Sequence, residues 1–329
     1  MKLFRNILIM ICLSLFVYAN EDDKLNTQIN TNLYDFVILK DVEKAINDIN
    51  NLSQALKNKN EDKSKELLKN FLQSWKSVET FYILGDLNDE FIDIPRYIDI
   101  FHNANEDIKV QLDRAIKSND IAKIALFKNS LKSINALEYV IATKDIKNQR
   151  VNELAIYISQ KLSSHLNDIY DEYKNQRTAF INNLKKANAI IIDAVIQNSY
   201  KLKEWRIGDV MGLTKKYKNK ADNKRAEYFI SKNSANAIEA ILLTYKNVLD
   251  NPSIEDYGDY LITLTNGKEI NKLRTALSKS LKLVKQIKND DFSKSQELYK
   301  QVDIIHIVLF VEMIEELEIN SKILAADGD

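Results

Sequence analysis

Apolar positions recur along this chain at the three-and-four spacing of an α-helix, separated by short polar stretches. From Leu39 the series Val42, Ile46, Ile49, Leu52 and Leu56 keeps that spacing without a lapse, which predicts an amphipathic helix within 25–58. Residues 58–62 are all polar. Leu67, Leu68, Phe71, Leu72, Trp75, Val78 and Phe81 then predict a second helix over about 62–83, closed by Leu84-Gly85. The stretch 86–95 is less regular, and Pro95 suits the opening of another helix. Further helices are predicted over 105–118, 120–143, 148–200, 225–249, 268–288 and 292–325, with a short one at 259–264. The 148–200 stretch holds neither Gly nor Pro. It is either one long helix or a helix with a polar break near 175–177. Residues 204–223, with Gly208, Gly212 and many Lys, read as an exposed loop.

One predicted helix carries polar residues where its apolar stripe should continue. Ser133-Ile-Asn135-Ala-Leu-Glu138-Tyr-Val-Ile141 reads Ser-x-Asn-Ala-aliphatic-Glu-x-aliphatic-aliphatic, and the pattern returns at Ser234-Ala-Asn-Ala-Ile-Glu239-Ala-Ile-Leu242. At 100° per residue Leu131, Ile134, Leu137, Ile141 and Ala142 share an arc, and Asn135 and Glu138 fall inside it. Glu239 falls likewise among Ala235, Ile238, Leu242 and Leu243. A carboxylate on an apolar stripe is costly to desolvate unless it meets a donor, a cation or a metal. Two copies fit a duplicated helical unit. The plainer readings put Asn and Glu at the stripe's edge, reaching water, or in a structural hydrogen bond between the halves.

Composition sharpens the fold class. Six Gly and two Pro in 329 residues leave little for strands and tight turns. The expected architecture is therefore all-α: two helical-bundle halves, about 28–198 and 199–325, from an internal duplication. Lys+Arg and Asp+Glu both total 47 and are interspersed, so no basic field recruits nucleic acid. At the N-terminus Lys2 and Arg5 precede an apolar run over 7–17, and Val17-Tyr-Ala19 leads into polar residues. That predicts a secretory signal peptide over 1–19, cleaved after Ala19. The run is short of the about 18 residues a membrane span needs. Cys12 is the sole cysteine and lies in that segment, so the mature chain makes no disulfide or thiolate metal site. The expected location is a bacterial periplasm, with no integral span after signal removal.

Candidate chemistry is sparse. Each of the three histidines has an aspartate three positions away: Asp99/His102, His165/Asp168 and Asp303/His306. On a helix that spacing puts carboxylate and imidazole on one face, a ligand type for iron or zinc. An acid beside a histidine also simply accepts its N–H. No His-Glu-x-x-His motif, glycine-rich phosphate loop, Gly-x-Ser-x-Gly elbow or EF-hand loop occurs, and no catalytic residue is assigned.

Several stretches together carry a family resemblance. Phe71-Leu-Gln-Ser-Trp75, followed by Phe81 to Gly85, is similar to a Trp-bearing helix that ends in an aromatic-rich stretch and Gly. Ile92-Asp-Ile-Pro95 resembles a Pro-containing turn. Glu227-Tyr-Phe-Ile-Ser231-Lys-Asn-Ser234 resembles a Glu and paired serines opening a helix, and Asp327-Gly-Asp329 a recurring ending. In this order they resemble the imelysin family of bacterial envelope proteins. The resemblance implies a two-part helical fold, an envelope location and a link with iron acquisition. The family has been grouped with metallopeptidases although it lacks a standard zinc-peptidase motif. At the family's Gly-x-His-x-x-Glu motif this chain departs: Ser133 stands for the Gly, Asn135 for the His, and Glu138 remains. A neutral amide oxygen is a poor transition-metal ligand.

The leading expectation is a binding or accessory protein tied to uptake of iron or another metal. Its polar pocket would lie between the halves, lined by Ser133, Asn135, Glu138, Arg225, Glu227, Ser231 and Ser234, with Glu138 the candidate ligand for iron or another divalent metal. Its partner would be a small ligand, a metal ion or an envelope protein. A metal-dependent hydrolase would have to recruit His306 or His102 to Glu138. A purely structural protein would dock an envelope partner on its surface.

Overall fold

A computed structural model describes residues 23–103 and 106–313. The predicted signal peptide, Cys12 and Asp327-Gly-Asp329 lie outside them. All regular structure among the described residues is helical. In chain order the principal helices are α1 over 23–57, α2 (Glu61–Thr80), α3 (Ile108–Lys117), α4 (Ile134–Thr143), α5 (Gln149–Asn182), α6 (Leu184–Lys201), α7 (Ser234–Leu249), α8 (Tyr257–Leu264), α9 (Lys268–Val284) and α10 (Gln296–Ile307). Among the described residues no helix is long and apolar enough to cross a membrane.

The predicted stripes are the ones that bury. Val42, Ile49, Leu52 and Leu56 of α1 and Leu68, Phe71, Leu72 and Trp75 of α2 are in the core. Polar caps set where helices begin: Asn60 accepts the Lys63 N–H at the start of α2, and Asn148 accepts those of Arg150 and Val151 at the start of α5. Helix α2 is central, because α1 lies along it on one side and α7 on another. That position brings α2 against both the helix just before it and chain well after it in sequence.

Four boundaries differ from the sequence pattern, each for a local reason. The helix expected over 120–143 begins only at Ile134. Ser133 caps it, accepting the Ala136 N–H at 3.3 Å and donating to the Ser130 carbonyl at 2.7 Å; upstream are a short turn, Ala122–Ala125, and a 3-10 turn, Ser130–Lys132. The break in the long 148–200 run falls at Asn183, whose side chain accepts the Lys186 N–H. The first part of the expected 204–223 loop is helical. Helix α6 widens into a π segment at Leu202–Gly208 and stops after Asp209–Met211, where Gly212 takes φ 67°. Finally, α7 starts at Ser234 rather than near 225, because Tyr228 and Lys232 take left-handed φ values of 57° and 56° and turn the chain.

The two copies of the repeated pattern occupy different environments, which corrects the expectation of a second buried carboxylate. Glu138 is buried, whereas Glu239 is partly exposed and faces Lys285 at 3.4 Å. Leu243 beside it is 43% exposed, so that edge of α7 is surface.

Gly212 ends the α6 run where a side chain has no room. A Cβ there would lie 2.7 Å from the Ala221 nitrogen and 2.8 Å from Lys220 backbone atoms. Gly212→Ala should therefore lower unfolding stability by at least about 1–3 kcal/mol, measured by urea denaturation. An unchanged midpoint would show that the loop relaxes freely.

Candidate functional site

The chain's most concentrated polar chemistry lies around the ammonium of Lys76. Lys76 and Glu79 stand one turn apart on α2, and the Lys76 side chain has no solvent exposure. Its Nζ lies 2.6 Å from Glu79 Oε2, 2.7 Å from Asp99 Oδ2 and 2.6 Å from Glu227 Oε1. Asp99 is delivered by the short helix Ile94–Ile98, which Pro95 opens and Asp99 terminates. Glu227 and Tyr228 arrive on the turn that precedes α7. From the π segment of α6, Arg206 donates to Glu227 Oε2 at 2.8 Å and to Glu79 Oε2 at 2.9 Å. The Tyr228 hydroxyl donates to Asp99 Oδ2 at 2.6 Å, and the Phe101 N–H to Asp99 Oδ1 at 3.0 Å.

These partners set the charge states. Burial works against the Lys76 ammonium, but Asp99, Glu227 and Glu79 outweigh it and hold it protonated above the ordinary lysine range. Burial would likewise raise Asp99, yet Lys76, Tyr228 and the Phe101 N–H hold its carboxyl down at about 2. Glu79 is lowered by Lys76 and Arg206 against the same burial. For Glu227 burial prevails and pushes the carboxyl upward.

Helix α4 braces this network from one side. Asn135 Oδ1 accepts the Ile100 N–H at 2.9 Å, fixing the backbone next to Asp99. Glu138 Oε1 accepts both the N–H and the hydroxyl of Ser231, at 2.9 and 2.8 Å. Burial pushes the Glu138 carboxyl up to about 7, with Asp99 and Glu227 adding to the rise and Ser231 opposing it.

Of the residues selected from sequence, Asn135, Glu138, Glu227 and Ser231 meet at this network. Ser133 serves as the α4 cap. At the start of α7, the Ser234 N–H donates to Asp290 Oδ2 at 2.7 Å. Arg225 lies elsewhere: its guanidinium stacks on Tyr217 at 4.1 Å and donates to the carbonyls of Asp209 and Lys220, clamping the loop after Gly212. Lys76, Glu79, Arg206 and Tyr228 were not selected, and Asp99 was singled out only as a partner of His102. Lys76 had a readable signal, since it lies four residues after Leu72 on the α2 stripe, the position that singled out Glu138 on α4.

The histidines go their own ways. His102 stacks on Trp205, its ring centroid 4.6 Å away, and faces Asp209 at 3.4 Å rather than Asp99. His165 lies beside the Tyr97 ring. His306 Nδ1 pairs with Ser199 Oγ at 2.8 Å while Asp303 takes Lys203, and burial pushes its imidazole down to about 4. Among the described residues, these contacts of the three histidines run to groups other than Glu138.

The imelysin family model matches residues 37–303. The chain belongs to the imelysin family. Its fold is similar to that of an imelysin-like protein from Psychrobacter arcticum 273-4, with a TM-score of 0.77 at 16% identity over 90% of this chain and 96% of that one. It is also similar to a protein of Parabacteroides distasonis ATCC 8503 named as a putative iron-regulated protein A precursor, with a TM-score of 0.66 at 12% identity over 89% and 95% of the two chains. No curated protein matches this imelysin-family chain.

The family raises the question of a metal, and the network allows a fit test. Oxygens of Glu79, Asp99 and Glu227 lie within 4.8 Å of one another, a span suited to a shared cation. Lys76 Nζ already makes a short contact to each of them, and an ion placed there would meet the ammonium. Asn135 spends its oxygen on the Ile100 N–H. The residues present do not fit a resident transition metal.

The raised Glu138 carboxyl makes stability depend on pH. Between its ordinary range near 4.5 and its folded value of about 7, the folded chain keeps a proton that the unfolded chain has released. This contribution is therefore present near pH 5 and is lost as pH rises through 7, by up to roughly 3 kcal/mol. Glu138→Gln keeps an acceptor for Ser231 without the titration. Its melting temperature should match wild type at pH 5 and exceed it at pH 8; parallel profiles would refute the assignment. Asp41, also pushed up to about 7 by burial, contributes equally to both proteins and cancels in the comparison.

Proposed function

We propose that this chain is an exported, periplasmic accessory protein that acts by binding rather than catalysis, in an iron-linked process of the cell envelope. The observation that carries the non-catalytic reading is the seat of Lys76 Nζ among three carboxylates, together with Asn135 at the position of the family's histidine. A general base or metal-bound water needs an open position beside it. Here the carboxylates of Glu79, Asp99 and Glu227 are spent on Lys76 and Arg206, and Glu138 on Ser231. The iron link is supported by family membership and by the likeness in fold to the Parabacteroides distasonis protein. Export is supported by the signal-like N-terminal segment. Among the alternatives, a metal-dependent hydrolase would need a histidine recruited to Glu138, whereas His306 pairs with Ser199 and His102 faces Asp209.

The test uses mature protein equilibrated with Fe²⁺ or Zn²⁺ and then desalted. Wild type should retain no stoichiometric metal by elemental analysis and should hydrolyse casein and peptide substrates no faster than buffer. Lys76→Met removes the internal cation and leaves buried carboxylates uncompensated, at about 3–5 kcal/mol of stability. Added divalent metal should recover part of that loss as a rise in melting temperature. Stoichiometric metal in wild type that disappears in Glu138→Ala, or hydrolysis lost in the same variant, would overturn the proposal. For the iron link, the protein's abundance should rise when cells are grown with an iron chelator, and constant abundance would count against it.

A further inference from the structure

Away from the ion network, the stretch between α3 and α4 turns large apolar side chains outward. Ile121, Ile124 and Phe127 are 65%, 58% and 70% exposed. They are spaced three apart around the short helical turn Ala122–Ala125. The turn itself is held firmly. Leu126 is fully buried, Ala122 and Ala125 pack on the core, and the N–H groups of Ile124, Ala125 and Leu126 all donate to carbonyls of the same turn, at 2.9–3.0 Å. The exposed tips are therefore fixed features of the surface. Lysines surround them: residues 117–132 contain Lys117, Lys123, Lys128 and Lys132 against one acidic residue, Asp120. Lys117 and Lys123 are exposed, Lys128 pairs with Glu106 at 2.7 Å, and Lys132 donates to the Phe127 carbonyl at 3.2 Å.

We propose that this turn is a peripheral membrane contact, seating Ile121, Ile124 and Phe127 in the headgroup region of an anionic bilayer. Three isolated tips on a convex turn fall well short of the about 800 Å² per partner that a stable protein interface buries. A bilayer needs no complementary shape. Apolar side chains enter the boundary between headgroups and acyl chains, and basic residues beside them gain from anionic lipid. The charge around the tips is of the sign that such a surface attracts. This contact is independent of the ion network, so either reading can fail without the other.

The test is flotation of the mature chain with phosphatidylglycerol-containing vesicles against phosphatidylcholine vesicles. Wild type should float with the anionic vesicles and not with the neutral ones, and added salt should weaken the association. The double variant Ile124→Ser/Phe127→Ser should partition at least about tenfold less, with circular dichroism and melting temperature unchanged. Lys117→Glu/Lys123→Glu should do the same without touching the apolar tips. In Phe127→Trp, indole emission should shift to the blue on adding anionic vesicles, beyond the wild-type response of Trp75 and Trp205. Failure of wild type to float, or equal flotation of the serine variant, overturns the proposal. So does a wild-type dimer that Ile124→Ser/Phe127→Ser converts to monomer, which would assign this face to a second copy of the chain.

Discussion

A lysine ammonium removed from water is the constraint on which this structure turns. Burying one unpaired charge costs several kcal/mol even after relaxation, so Lys76 can sit without solvent exposure near the end of α2 only if carboxylates reach it there. Three do: Glu79 from the same helix, and from more distant parts of the chain Asp99, at the end of a Pro-opened turn, and Glu227, on the turn before α7. Each must be held where its oxygen meets the ammonium. Several irregular features follow from that demand. Arg206 reaches Glu79 and Glu227 from a π segment, and Tyr228 adopts a left-handed backbone conformation that an aromatic residue seldom takes. In that conformation its hydroxyl closes on Asp99.

Within this frame the family motif takes on a different duty. Asn135 and Glu138 both reach the network from α4, one gripping the backbone after Asp99 and the other the backbone at Ser231. A neutral amide suits this role, because it accepts a hydrogen bond without adding a charge to a crowded site. Glu138 suits it in a second way. Its proton affinity is raised by burial first, and further by Asp99 and Glu227, two of the carboxylates that hold Lys76, so near neutral pH it can shed or keep a proton.

Much of the fold was legible because stripes of Leu, Ile, Val and Phe at helical spacing have few ways to bury except as helices packed together. The polar stretch at 58–62 marked the boundary between α1 and α2. Legibility failed where tertiary contacts overrode the local pattern. Residues 204–208 read as the start of an exposed loop because Gly208, Gly212 and many Lys follow one another over 204–223, yet Arg206 is buried there by partners distant in sequence. Glu138 and Glu239 share one local pattern, and only the packing of α4 and α7 separates a buried carboxylate from a surface one. At the site, Glu138 stood out because an acid lay in an oily stripe. Lys76 lay in one too, but a long aliphatic stem ending in an amine normally reaches water from such a place, which disguised it. Asp99 was noticed for its spacing from His102, and the helix end between them sent the two side chains to different partners.

The choice of lysine over metal bears on what the molecule can sense. A metal-held junction loosens when the ion is withdrawn, because its ligands are then left as mutually repelling charges. An ammonium on a covalent stem cannot diffuse away, so this junction stays assembled whatever the metal supply. Its remaining sensitivity is to protons, through carboxyls that burial has raised. Helix α4 also joins the network to the surface by a short path. The chain runs from the exposed turn at 121–127 through the 3-10 turn at Ser130–Lys132 to the Ser133 cap, and Asn135 and Glu138 follow within one further turn and a half. A rigid core held by its own cation gives that outward-facing turn a fixed base.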